Sequence, residues 1–480
     1  MSQNKDPVAT TSTSTEVLEH FSRGKTFHVA RRADALSDTP DGSSIADPDT
    51  ERKKALTALT AEEEKKLIRR IDWRLIPLLA LLYVMKKLDE SNVSNARIMN
   101  KGTPRAILTQ LNISSDEYGM ITVLYTVRPP SAVQTEAGMF PGIILQLTYW
   151  YRPDEMATRL GWIYVCGSIA GIIGGVFAYA FNGVSGRLGV SGWQWLFIFE
   201  GATTIVLSAL ILFRLPDFPS TTSWLSEREK AFIQARLPPN APRGAEENFS
   251  WGEIVTSLKD KRLWLFTLSW ALQTCGGSGV KFYQSTIIAN LGFSDIATAQ
   301  LLNIPMSALA IIIIVTCTWL AGKGSIPIPL FPVAFTVIIV ACYGVMTAYP
   351  SDVGVYIAMM IGNAVSTAWF PLMWPWRAQT TSRATGSAFA IGFVNSYGQV
   401  GDAIGPQMFL DKYEPRYQLP FGFSMGLIAL CGWNCAYTWW VTRHTERDTR
   451  KHKLARLEAK KRNNTVLDDV SDHDLERAGR

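Results

Sequence analysis

About ten predominantly apolar segments, each long enough to cross a bilayer as a helix, recur along the 480-residue chain with charged stretches between them. A hydrocarbon core of about 30 Å needs roughly twenty such residues per helix. The first segment runs from Ile71 to Leu88, and others lie near 159–181, 193–214, 263–288, 299–320, 328–348, 353–375, 385–409 and 419–442. Such a chain folds as an all-α membrane protein. Only 18% of its residues are charged, against the usual quarter, and they crowd the first seventy positions, the stretch from Arg214 to Arg262, and the end beyond Arg443.

Other function classes lose ground on residue placement. Cys166, Cys275, Cys317, Cys342, Cys431 and Cys435 all lie in apolar runs without a Cys-x-x-Cys pair, so neither a disulfide framework nor a zinc site is expected. The five histidines sit in the polar ends, which leaves carboxylates and lysines as the titrating groups of the spans. The net charge of +6 is placed beside span ends without an RNA-binding motif, so it reads as membrane anchoring rather than nucleic-acid binding. No phosphate loop, metal cluster or nucleophile with a base is evident, and the chain is not expected to be an enzyme or to hold a cofactor. No apolar core near the start marks a cleavable signal peptide.

Residues 1–59 are rich in Ser, Thr, Asp and Gly and are expected to form a disordered tail. Thr60 and Glu63 make a capping box that opens the helix into the first span. Residues 60–216 form an N-terminal membrane half and 217–262 a polar linker, in which Ser226 with Glu229 and Ser250 with Glu253 can each cap a short helix before or after Pro238 and Pro239. Residues 263–442 form a six-span second half, and 443–480 a basic tail. The linker looks like the joint of a two-half transporter, the plainer alternative being a long loop. Lys and Arg concentrate on the face that carries both ends and the linker, which places both termini in the cytoplasm.

The segments RRIDWRLIPLLALLYVMKKLDESNVSNARI, EAGMFPGIILQLTYWYRPDEMATR, WQWLFIFEGATTIV and LPDFPSTTSWLSEREK resemble the fungal anion:cation symporters of the major facilitator superfamily, which include allantoate, nicotinate, pantothenate and biotin permeases. FYQSTIIANLGFS and PWRAQTTSRATGSAFAIGFVNSYGQVGDAIGPQMF extend the likeness over most of residues 60–450. The resemblance implies a two-half helical bundle with 12 spans, working as a monomer by alternating access in the plasma membrane. It breaks between Tyr125 and Glu136, where only TVRPPSAVQT stands in place of two complete spans. The third span is then missing, and remnants of the second and fourth can fuse into one crossing that holds Arg128, Pro129 and Pro130. About 10 crossings result, and transport is expected to be poor or absent.

A carrier of this kind binds its solute near the midplane between its halves, so intramembrane polar residues are the candidates. Lys281, two residues before Tyr283 and after the small-residue run TCGGSG, can meet an anionic substrate or pair with a carboxylate such as Asp402. Asp89 ends the first span, but Glu90 stands where the family pattern has a basic residue. Lys86 and Lys87 can substitute for that charge or snorkel to the interface. Asn303, Asn363, Asn395, Tyr397 and Gln399 offer neutral hydrogen-bonding groups, or serve as helix glue. Glu136 and Glu200 match carboxylates of the family motifs and are the proton-coupling candidates, the alternative being a structural hydrogen bond. Trp369, Trp374 and Trp376 read as interfacial anchors, and Gly167, Gly171 and Gly175 mark a close-packing face. The expected function is proton-coupled symport of a small organic anion, with a transporter-like nutrient sensor as the alternative.

Overall fold

The computed structural model describes residues 15–19, 26–32, 48–114, 116–120, 138–216, 218–237, 251–291, 301–380, 384–398, 400–413 and 416–467. Helices α1 (Pro48–Thr57) and α2 (Ala61–Ile98) open the helical part. The capping box at the start of α2 forms: Thr60 Oγ1 accepts from the Glu63 amide at 3.1 Å, and Glu63 Oε2 accepts from the Thr60 amide at 2.8 Å. The first half continues with the single turn α3 (Ile107–Leu111), then α4 (Met139–Trp150), α5 (Pro153–Gly183) and α6 (Gly192–Arg214). Linker helices α7 (Glu227–Arg236) and α8 (Trp251–Lys259) follow, and Ser226 with Glu229 closes the expected box on α7. Ser250, Pro238 and Pro239 lie outside the described residues.

The second half comprises α9 (Lys261–Asn290), α10 (Asn303–Gly322), α11 (Leu330–Ala348), α12 (Asp352–Ala378), α13 (Ala384–Gly398), α14 (Val400–Ile404) and α15 (Gln418–Lys461). Six helices among the described residues are long and apolar enough to cross a membrane: α5, α6, α10, α11, α12 and α15. Their outward faces carry exposed Ile205, Leu212, Phe213, Val337, Phe423 and Trp433, the pattern lipid requires. Helices α2 and α9 have the length but also hold the charged residues of the site below. Of residues 118–151, where the sequence suggests a single fused crossing, only 118–120 and 138–151 are among the described residues.

The halves meet where α5 packs against α10 and α12, α2 against α9, and α4 against α13. Glycines bring the backbones together: a methyl group at Gly167 would stand 2.4 Å from the Tyr83 ring on α2, and one at Gly171 would stand 2.9 Å from Ser307 Oγ on α10. The glycine stripe of α5 therefore serves both neighbours. The run TCGGSG leaves α9 unbroken and instead admits the glycines of α13 and α14, with Ser278 Oγ donating to the Gly401 carbonyl at 2.9 Å.

Two expectations are corrected. Within the stretch assigned to a disordered tail, strands β1 (Thr15–Glu19) and β2 (Thr26–Arg31) pair antiparallel, and β2 pairs with β3 (Asn464–Val466) beyond α15. Composition argued against a core there, but Val29 finds one on the distant Val466, Ala455 and Ala459. Trp369, Trp374 and Trp376 are not interfacial. They are buried around Trp270 and Phe266, because α12 runs between the halves. Trp319, with Lys323 Nζ 3.4 Å from its ring centroid, and Trp440, with the Arg443 guanidinium 5.5 Å from its own, are exposed instead.

Candidate substrate site between the halves

Lys281 lies two-thirds along α9, and its ammonium is 2.6 Å from Glu90 Oε1 on α2. The other Glu90 oxygen is 2.5 Å from Lys87 Nζ, one turn earlier on the same helix. One carboxylate thus bridges a lysine from each half. Asp402, on the short α14, sits within the electrostatic field of Glu90, Lys281, Lys87 and Lys86 without replacing Glu90 as the direct partner. Lys86 and Lys87 do not both run to the interface: Lys86 lies 5.9 Å from the Phe140 ring centroid, and Lys87 turns inward. Lys281 keeps 53% of its side chain accessible, so the cluster is open to a ligand.

Next to the charges runs a chain of neutral groups. Asn363 Nδ2 on α12 donates to Gln284 Oε1 at 2.6 Å, and Gln284 Nε2 donates to Asn303 Oδ1 on α10 at 2.5 Å. Asn303 Nδ2 then donates to Ser285 Oγ at 3.1 Å, and Ser285 donates to Asn95 Oδ1 on α2 at 3.3 Å. Each link satisfies a polar group removed from water, which would otherwise cost a few kcal/mol. The chain ends on the first half, so it is a second bridge between the halves. Beyond it, Ser94 donates to the Phe282 carbonyl at 2.6 Å, and Arg97 donates to Thr286 Oγ1 at 3.2 Å.

The remaining candidates scatter. Tyr283 points away from Lys281, as two residues along a helix must, and packs under Arg97 and beside Phe409 and Tyr417. Asn395 is buried on α13, and its Oδ1 has no hydrogen-bond partner among the described residues. Asp89, beside Glu90 on α2, lies near enough to Glu200 of α6 for its charge to act there. Glu200 is 2% exposed, with neither carboxylate oxygen hydrogen-bonded within the described residues. Glu136 and Gln399 lie outside those residues. Sequence reasoning missed Glu90 and Gln284 as participants, although spacing held the signal: Glu90 follows Lys87 by three, and Gln284 follows Lys281 by three.

On the side that carries the linker, ion pairs join helix ends. Arg159 Nε meets Asp72 at 3.2 Å, Arg236 pairs with Glu155, and Arg456 on the long α15 reaches Asp154 of the first half at 3.1 Å. Lys453 Nζ donates to the carbonyls of Asp154 and Ala321, each at 3.0 Å. Arg32, which follows β2, pairs with Glu64 of α2 at 2.6 Å. Burial pushes the Glu64 carboxyl up, but Arg236, Arg32, Arg152 and Lys460 together hold it below the ordinary carboxylate range.

A sequence model of the Major Facilitator Superfamily matches residues 134–406. The MFS-type transporter cnsO of Penicillium expansum is 28% identical, with 83% of this chain and 87% of that protein covered. The high-affinity nicotinic acid transporter of Saccharomyces cerevisiae is 23% identical over 83% of this chain and 80% of its own. A solved bacterial homolog of the human lysosomal transporter Spinster, inward-facing and unoccupied, superposes with a TM-score of 0.50 at 13% identity, covering 78% of this chain and 97% of that one. That last likeness concerns the fold alone.

Proposed function

We propose that this chain, which belongs to the Major Facilitator Superfamily, carries a small organic anion across the membrane together with a proton, as a symporter of the anion:cation type. The observation that carries the reading is the lysine pair Lys281 and Lys87, contributed by opposite halves and held at one carboxylate. A cationic centre flanked by the amides of Gln284, Asn303 and Asn363 suits a carboxylate with a polar body. Binding between the halves is what alternating access requires, since rocking then exposes the same groups to either side.

Glu200 is the candidate proton carrier. A carboxylate buried in a membrane bundle and left without a hydrogen-bond donor among the described residues is costly to keep ionised, so it suits a group that moves a proton. Glu136 remains a second candidate from the sequence. Residues 60–216 and 263–442 form the moving halves, the linker side faces the cytoplasm, and the plasma membrane is the proposed location. Ten residues between Tyr125 and Glu136 are too few for the two crossings of a twelve-span plan, so transport is proposed to be slow.

The test is uptake of labelled nicotinate, pantothenate and allantoate into proteoliposomes under an acid-outside gradient. Accumulation that a protonophore abolishes supports symport. Ligand-dependent change of shape without flux would favour a sensor instead.

A further inference from the structure

We infer that Glu90 is a resident carboxylate: it fills the anion site at Lys281 while the carrier is empty, ties the halves together by doing so, and yields Lys281 to an incoming organic carboxylate. The inference rests on the anion reading of the site and names the group that substrate must displace.

Chemistry comes first. The pair between Glu90 Oε1 and Lys281 Nζ, at 2.6 Å, is the same carboxylate–ammonium contact that an organic anion would make. The chain thus supplies its own anion at that position. Displacement strands no charge, because Lys87 sits three residues from Glu90 on the same helix and travels with it, keeping its 2.5 Å contact. Around the pair, Lys86, Lys87 and Lys281 face Glu90 and Asp402. Three ammonium groups against two carboxylates leave the field positive once Lys281 is vacated.

Geometry supplies the consequence. Glu90 belongs to the first half and Lys281 to the second, so exchanging one carboxylate for another also cuts a tie between the halves. The hydrogen bonds from Ser285 to Asn95, from Ser94 to the Phe282 carbonyl and from Arg97 to Thr286 remain between the same two helices, so the Glu90 pair is the one tie there that substrate exchanges. Exposure of 53% for Lys281 and 34% for Glu90 leaves the exchange sterically open. Substrate recognition and release of the tie become one event.

The experiment uses the full-length chain in detergent and two readouts. Calorimetry follows binding of acetate, benzoate, nicotinate and pantothenate. Pulsed electron resonance follows the distance between nitroxides at Lys101→Cys and Val353→Cys, with the six native cysteines replaced. Glu90→Gln should bind at least one of these carboxylates about three- to thirty-fold more tightly, because the competitor is gone, and should lengthen the distance without ligand. The exchanged pair Glu90→Lys with Lys281→Glu restores an ion pair across the halves and should keep the unliganded distance. Equal or weaker binding by Glu90→Gln overturns the resident-carboxylate inference and leaves the anion reading standing. Failure of all four probes to bind either wild type or Glu90→Gln overturns the anion reading, and the inference with it.

Discussion

Replacing Gly401 by alanine tests whether the approach of α14 to α9 holds the second half together. The added methyl group would stand 2.2 Å from the Cys275 amide nitrogen and 2.2 Å from Thr274 Oγ1. The first of these atoms is backbone, so no rotamer change relieves it, and α14 must retreat by more than about 1 Å to reach ordinary contact distance. Overpacking of this kind costs about 1–3 kcal/mol. The retreat also stretches the hydrogen bonds from Thr274 Oγ1 to the Gly398 carbonyl, at 2.5 Å, and from Ser278 Oγ to the Gly401 carbonyl, at 2.9 Å. Inside a membrane bundle each is worth about 0.6 kcal/mol. Against this, alanine gains up to about 1 kcal/mol of helix propensity over glycine, leaving a net loss of about 1–3 kcal/mol. Gly392→Ala on α13 is the control, since its methyl group would have no atom within 4 Å. Thermal unfolding in detergent, followed by tryptophan fluorescence, should show Gly401→Ala melting several degrees below Gly392→Ala. A Gly401→Ala melting point equal to or above the control would refute the close approach.

Other expectations follow from the same geometry. Lys281→Met removes a half-exposed partner while Glu90 keeps Lys87, so stability should fall by less than about 1 kcal/mol while carboxylate binding is lost, as calorimetry beside a melting curve would reveal. Glu200→Gln should retain exchange of labelled for unlabelled solute in proteoliposomes and lose accumulation driven by a proton gradient. Arg456→Ala removes the side-chain pair between Asp154 and α15, leaving only the Lys453 contact to the Asp154 carbonyl, and should raise the labelling rate of cysteines placed on the linker side, because one tie between the halves there is gone. For Glu64 the folded-state value is depressed, so its contribution is complete above the ordinary carboxylate value of about 4.5 and is lost as pH falls through the lower, folded value. Hydrogen exchange in Thr26–Arg31 should therefore be unchanged by this group from pH 8 to 6 and should accelerate only below about pH 4.5.

The spans were legible because lipid imposes a length and a composition that a sequence displays directly. Thr60 and Ser226 announced their helices for a similar reason, since a capping box is local chemistry. Pairings across the chain were less accessible. Asn95 and Ser285 sit 190 residues apart, and nothing in either neighbourhood marks the other as its partner. Trp374 illustrates the ambiguity of a residue type: a tryptophan near the end of a span serves at an interface or in a packed centre, and only the placement of Trp270 decides. Val29 met the same limit, because its burial depends on a strand beyond residue 460. In the site, Lys281 stood out as a charge in an apolar run. Its partner Glu90 did not, because a carboxylate at the end of a span reads as a surface residue until the facing helix is known. Helices α2 and α9 are less apolar than their neighbours because they carry Lys87, Glu90 and Lys281.

The central claim is that an organic anion and a proton cross together through the site at Lys281. Its most direct test is the initial rate of labelled nicotinate, pantothenate and allantoate uptake into proteoliposomes holding this chain, with and without an acid-outside gradient, for the wild type and Lys281→Met. The account predicts slow accumulation of at least one of the three that requires the gradient and vanishes in Lys281→Met. Absence of gradient-driven uptake for all three, or uptake that survives Lys281→Met unchanged, would contradict it.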